Sequence, residues 1–278
     1  MRCTGNMDKQ HPILIDTSEL NSRIGDSNVQ IIDLSESSDY RSLRIPNSMR
    51  VSSRELYNGT KPTPGSVPSK EHLRELMSRL GLREGLQVIA YDDEGGGHAS
   101  RLIWTLHLLN YRCGSVLNGG IQSWLADGLP TVKEDTKARR SHQVDFGNDD
   151  SVIANQDYIK ARLGTSDLIL LDARTPEEYK GISIFAKRGG HIPGAVNLNW
   201  LNSINTQTDF RLKGKQELEA MLLDRNITPD KEIVVYCQTH HRSAQSWMML
   251  RYLGYPKVRG YPGSWSEWGN DLDVGIEY

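Results

Sequence analysis

One run of residues has the types and spacing to do nucleophilic chemistry: Cys237-Gln238-Thr239-His240-His241-Arg242-Ser243. It follows Ile233-Val234-Val235-Tyr236, a β-branched stretch that reads as a buried strand with Cys237 at its C-terminal end. The residues after it, SAQSWMMLRYLG, read as a helix with Ser243 near its start and Gly254 as its stop. In parallel α/β sheets ligands bind at this end of the strands. The amides of a tight loop can point inward as a nest, and a helix N-terminus adds unpaired donors and partial positive charge. Arg242, and His240 and His241 when protonated, add cationic character. These influences lower a thiol pKa, favour the thiolate and would stabilise a persulfide anion once formed. A cysteine by itself is often only a small core residue. The polar, cationic loop and the helix start argue against that reading here.

Two other chemistries are weaker. A zinc site would need more than Cys237, His240, His241 and His191, because Cys-x-x-His is one ligand fragment and a second paired fragment is missing. No metal and no cofactor is therefore expected. Cysteine phosphatases place five residues between the cysteine and the arginine, whereas four separate Cys237 from Arg242. The shorter loop should form a smaller pocket, suited to sulfur rather than to a phosphoryl group.

The elements that must position this loop are written twice. Val29–Asp33 and Leu168–Asp172 are short apolar strands ending in an acid, each followed by an acidic, tyrosine-containing stretch (SESSDY, ARTPEEY) and an Ile-Pro pair. Lys70–Leu80 and Lys215–Arg225 have helical periodicity and lead to the strands Leu86–Tyr91 and Glu232–Tyr236. A loop, a helix, a Gly-containing turn and a Trp close each half, NGGIQSW and YPGSWSEW. Strands alternating with helices imply α/β architecture with mainly parallel sheets flanked by helices. Repeats of this length are a duplicated domain rather than a solenoid. Asn58–Ser69 is a Pro/Gly loop inside the first half. Asp172 and Arg174, at the end of a neighbouring strand, either support the cysteine loop or form a strand-end ion pair.

The first half has Asp92 where the second has Cys237. Its loop, DDEGGGH, is acidic and reads as one residue longer. Asp92 cannot carry a persulfide. A metal on Asp92, Asp93 and Glu94 is less expected than a solvated turn, since no partner ligands lie nearby in sequence. Cys113 reads as structural or incidental, and Cys3 lies in the N-terminal segment.

The 278 residues suit two halves of roughly 130–140 residues, each able to bury a core. The net charge of −2 gives no reason to expect nucleic acid or an anionic membrane surface. No apolar run approaches the roughly 20 residues of a transmembrane helix. The N-terminal stretch lacks a hydrophobic signal core, and three scattered cysteines make a poor disulfide framework. A cytoplasmic protein with free thiols is the expectation.

At CQTHHRS the chain resembles the rhodanese family, in particular its bacterial tandem-domain thiosulfate sulfurtransferases with a Cys-Gln-Thr-His-His-Arg loop. LLDART–EEY around Asp172, GHIPGA at Gly190–Ala195 and the ending YPGSWSEW agree with it. The resemblance implies two tandem rhodanese-like domains: a catalytically silent one over 1–135, a linker over 136–150 and a catalytic one over 151–278. It implies that the Cys237 thiolate takes sulfur from thiosulfate with release of sulfite. Cyanide, a small thiol or a sulfur-acceptor protein then removes it, in ping-pong fashion. Loop residues Gln238–Ser243 would hold the persulfide and the leaving anion, with Arg242 steering substrate or bracing the loop. Mercaptopyruvate sulfurtransferases resemble the same fold but carry a smaller, neutral loop, so His-His-Arg favours thiosulfate. Some animal-type members have a lysine where Thr239 stands, and its role does not carry over. A monomer is expected. A non-catalytic binding module is the remaining alternative, and the intact loop argues against it.

Overall fold

The computed structural model describes residues 11–40, 43–134, 136 and 146–278. Cys3 and residues 137–145 of the expected linker lie outside the described residues. The chain divides into two compact units. One comprises residues 1–56, 68–149 and 204–212, the other residues 57–67, 150–203 and 213–278.

The first unit contains β1 (Leu14–Ile15), α1 (Thr17–Ser22), β2 (Val29–Asp33), β3 (Ser48–Arg50), α2 (Lys70–Arg79), β4 (Gln87–Tyr91), α3 (Gly97–Leu108), β5 (Gly114–Leu117) and α4 (Gly120–Ala126). Its five strands pair in the order β1-β5-β4-β2-β3, every pair parallel. The second contains α5 (Gln156–Arg162), β6 (Leu168–Asp172), α6 (Pro176–Tyr179), β7 (Val196–Asn197), α7 (Lys215–Leu223), β8 (Glu232–Tyr236), α8 (Arg242–Tyr252), β9 (Val258–Gly260) and α9 (Ser264–Trp268). Its sheet runs β7-β6-β8-β9, again parallel throughout. The expected α/β class with mainly parallel sheets holds.

Parallel strands covered on both faces must be apolar along their length. Val88–Tyr91 of β4 and Ile233–Tyr236 of β8 obey this and are buried, while the buried Gln87 that opens β4 is satisfied by hydrogen bonds to Arg23 and Ser115. The helices that follow them, α3 and α8, are buried along most of their length, whereas α2 buries only Leu73, Leu76 and Met77. Both expected amphipathic helices end slightly early. After α2 the chain turns at Gly81 (φ 71°), and after α7 at Asn226 (φ 55°). These left-handed residues let Leu82 and Ile227 donate back to the carbonyls of Met77 and Leu222, closing each C-terminus.

Three expectations change. The loops after β4 and β8, residues 92–96 and 237–241, each have five residues, so the acidic loop is not longer. The extra residue lies in α3, which has 12 residues against 11 in α8. Residues 57–67 of the Pro/Gly loop pack with the second unit, not with the half in which they are written. Cys113 is disulfide-bonded, so the reading of three free thiols fails and one argument for the cytoplasm goes with it.

Candidate active site

The position of Cys237 is set by strand order. β8 lies between β6 and β9, so its C-terminal end opens beneath neighbouring loops on both sides. Just beyond the strand, the Cys237 and Gln238 carbonyls accept from the Trp265 (2.9 Å) and Ser266 (3.1 Å) amides in the first turn of α9. Helix-start amides have no partner within their own helix, and these loop carbonyls supply one. The Cys237 amide donates to Ser264 Oγ (3.3 Å), whose hydroxyl donates to the Tyr261 carbonyl. With its carbonyls held outward, the loop is free to turn amides toward the sulfur.

The turn itself needs a left-handed residue at His240 (φ 56°). This is a costly conformation for a side chain with a Cβ. His240 is fully buried and its Nδ1 lies 2.7 Å from Ser243 Oγ. When Nδ1 carries the proton, the hydroxyl accepts from His240 and keeps its own proton for the sulfur. Burial of Cys237, only 1% exposed, would push its thiol up. The Arg242 charge, the Ser243 hydroxyl and the Ser243 and Thr239 amides outweigh that and hold it at about 7. Much of the sulfur is therefore thiolate near neutrality.

Arg242 opens α8 and makes a bidentate ion pair with Glu178 (2.6 and 2.8 Å). Glu178 is buried, and it stands on α6 through a capping box: Thr175 Oγ1 accepts from the Glu178 amide, and Glu178 accepts from the Thr175 amide. Burial disfavours the Glu178 carboxylate, but the Arg242 guanidinium more than offsets this and its pKa lies below the usual carboxylate range. Arg242 thus braces the loop as part of a nearly neutral pair. The T-x-x-E spacing at Thr175–Glu178 was the sequence signal for this residue, which reading the cysteine loop alone overlooks.

Asp172 and Arg174 form a buried pair: the Arg174 Nε and NH2 groups donate to Asp172, and NH2 also donates to the Gly190 carbonyl. The Arg174 guanidinium lies 4.5 Å from the Trp265 ring centroid. Trp265 in turn donates its amide to the Cys237 carbonyl. The pair is a strand-end ion pair, and one tryptophan lies between it and the cysteine loop. His191 is engaged elsewhere, with Nδ1 on the Tyr179 carbonyl and its ring stacked on Tyr179. His241 is half-buried, its ring 6.0 Å from that of Trp200. The loop is therefore less openly cationic than its composition suggests, because His240 is enclosed and Arg242 is paired.

A cavity of about 640 Å³ adjoins the loop, within the second unit. Gln238, Thr239, Arg242, Glu178 and Phe185 line it together with Lys61, Pro62 and Pro64 from the Pro/Gly loop. Gly65 pins that loop down: a Cβ there would lie 2.4 Å from the Thr239 carbonyl oxygen and 2.6 Å from that of Pro262. The Gln238 side chain donates to the Phe185 carbonyl (3.0 Å). Among the expected binding residues, Gln238, Thr239 and Arg242 reach this cavity, while His240 and Ser243 are buried supports.

In the first unit, Asp92 begins the loop after β4 and is fully buried. Its carboxylate accepts from the Glu94 (3.0 Å), Gly96 (2.8 Å) and Ala99 (2.9 Å) amides. Asp93 is also buried, accepting from Glu36 and Ser37, and its pKa is raised by burial. The expected solvated turn is thus wrong. The first half's nest exists, and the loop's own carboxylate fills it.

The comparisons agree with this duplicated design. The Rhodanese-like domain family matches residues 16–127 and again 155–271. A thiosulfate sulfurtransferase of Azotobacter vinelandii is 39% identical over 266 residues, covering 96% of this chain and 97% of the relative. A sulfur carrier protein, TtuD, of Thermus thermophilus is 33% identical with the same coverage. The anaerobic ergothioneine biosynthesis enzyme from Chlorobium limicola, crystallised with trimethyl histidine, superposes with a TM-score of 0.86 at 23% identity. That superposition spans 97% of this chain and 71% of the other, and it is a likeness of fold. No helix among the described residues is long and apolar enough to cross a membrane. Two family matches on two parallel sheets, with near-complete coverage by relatives named for sulfur transfer, place the chain in the rhodanese family as a tandem, thiosulfate sulfurtransferase-like member.

Proposed function

We propose that the protein transfers sulfane sulfur from thiosulfate to a nucleophilic acceptor through a persulfide on Cys237. The observation that carries this is the placement of Cys237, buried directly after β8 in the five-residue loop that leads into α8, where the Arg242 charge and the Ser243 hydroxyl favour its thiolate. The thiolate attacks the outer sulfur of thiosulfate, the S–S bond of the donor breaks, and sulfite leaves with the bonding pair. A Cys237–S–S⁻ anion remains, held by the donors that favoured the thiolate. Cyanide or a thiolate then attacks the outer sulfur, leaving as thiocyanate or a new persulfide and returning the Cys237 thiolate. Gln238, Thr239 and Arg242 receive the anion, while His240, Ser243, Asp172 and Arg174 keep the loop in shape. Residues 151–278 are assigned the catalytic role, 1–135 the silent one and 136–150 the link between them, in a cytoplasmic monomer.

Incubation with thiosulfate should add the mass of one sulfur atom to Cys237, and cyanide should remove it. Absence of the adduct, or its persistence in Cys237→Ser, overturns the proposal. A second donor, mercaptopyruvate, has one observation in its favour: pairing of Arg242 with Glu178 leaves the loop less cationic than a dianion would use best. Loading rates measured in parallel with the two donors decide between them.

A further inference from the structure

The charged groups lining the cavity are Arg242, Glu178 and Lys61. The first two largely offset one another at the cavity in a bidentate pair. The third lies on the loop 57–67, which is closed on itself by hydrogen bonds from the Asn58 amide to the Ser66 carbonyl and from the Gly59 amide to the Pro64 carbonyl. The close backbone approach at Gly65 seats this loop against Thr239, two residues from the nucleophile. Lys61 is exposed and makes no ion pair among the described residues. The net charge facing the cavity is therefore positive because of one lysine, borne by a segment outside the sequence repeat that holds the cysteine.

We propose that Lys61 is the residue that selects and draws in an anionic sulfur donor, a specificity determinant of the Cys237 site. This rests on the sulfur-transfer reading above. The physics is ordinary attraction: a fixed positive charge beside a cavity raises the local concentration of anions and speeds their encounter. Because the ammonium is exposed, salt must weaken its effect. Lys61 touches no reacting bond, so it should govern entry of the donor and not removal of sulfur by cyanide at saturation.

The test is the second-order rate of persulfide formation on the full-length protein, followed by mass. Lys61→Gln should lower it by about three- to tenfold with thiosulfate at low salt, and Lys61→Arg should restore it. The dependence on ionic strength should flatten in Lys61→Gln, and the persulfide should still form fully at high thiosulfate. A second readout needs no sulfur donor. Alkylation of Cys237 by anionic iodoacetate, relative to neutral iodoacetamide, should slow in Lys61→Gln by a similar factor. An unchanged loading rate and salt slope, or an equal fall with both alkylating agents, overturns the role of Lys61. Failure of thiosulfate to load the unaltered protein overturns the donor assignment instead, and the alkylation ratio still judges Lys61.

Discussion

Asp92 holds in the first sheet the place that Cys237 holds in the second, one residue beyond the central strand, and its carboxylate accepts two amides of its own loop and one from the first turn of α3. Cys237 is approached by the Thr239 and Ser243 amides in the corresponding way. One loop geometry therefore serves two anions. In the first half the acceptor is the covalently built-in carboxyl of Asp92. In the second it is the Cys237 sulfur, which the proposed reaction would extend by one atom and discharge.

Removing the built-in anion should expose the nest. Asp92→Ala leaves two buried amides and one part-buried amide without their acceptor and should cost about 2–3 kcal/mol in denaturant unfolding. Added sulfate should recover more stability in this variant than in the unaltered protein, by occupying the vacated place. Loading of Cys237 at saturating thiosulfate should change less than twofold. A variant as stable as the parent would show that the three bonds contribute little.

The loading rate should follow the thiolate fraction of Cys237. With the thiol at about 7, the rate rises with pH, reaches half its maximum near neutrality and levels off above it. Ser243→Ala removes a hydroxyl that favours the thiolate, so its midpoint must move to higher pH. The comparison is made as loading rate against pH for the two proteins, and a midpoint that stays in place rejects the hydroxyl's role.

Glu178→Gln separates bracing from charge. The buried pair with Arg242 is broken on one side, so stability at pH 7 should fall by about 2–3 kcal/mol, less than for a fully enclosed pair because Arg242 is partly exposed. The Arg242 charge then acts on the sulfur uncancelled, and the loading midpoint should move to lower pH. The Glu178 carboxyl lies below its ordinary range when folded. Its stabilisation is complete above the ordinary glutamate value of about 4.3 and is lost as pH falls through the lowered one. The difference in stability between parent and variant should accordingly shrink in acid.

Gly65→Ala tests the seating of the Pro/Gly loop. A Cβ there meets two backbone carbonyl oxygens, which cannot rotate away as a side chain would. Stability should drop by about 1–3 kcal/mol. The loading rate should fall as well, because displacing this loop moves Thr239 or withdraws Lys61. Unchanged loading in the folded variant would detach residues 57–67 from the site.

The loop CQTHHRS, the two-fold repeat and the parallel α/β class were all legible in the chain, since each is a local pattern: a β-branched run, a turn chemistry, a helical period. The equivalence of Asp92 and Cys237 was equally plain. What Asp92 does was not, because an acidic string reads as solvated until the amides that enclose it are placed. The charge of Arg242 was visible, but its cancellation by Glu178, 64 residues earlier, depends on where α6 stands beside α8. Likewise Trp265 carries the influence of Arg174 to Cys237 only because α9 returns its first amides to that loop. The largest surprise, residues 57–67 packing with the second unit, follows from a glycine approaching a carbonyl at a separation of 174 residues. Sequence by itself pointed to Cys237 as the candidate nucleophile and to the elements that carry it, through local periodicity and residue type. Only the tertiary structure decided which charges remain uncancelled around it, since electrostatics depends on distance in space and not along the chain.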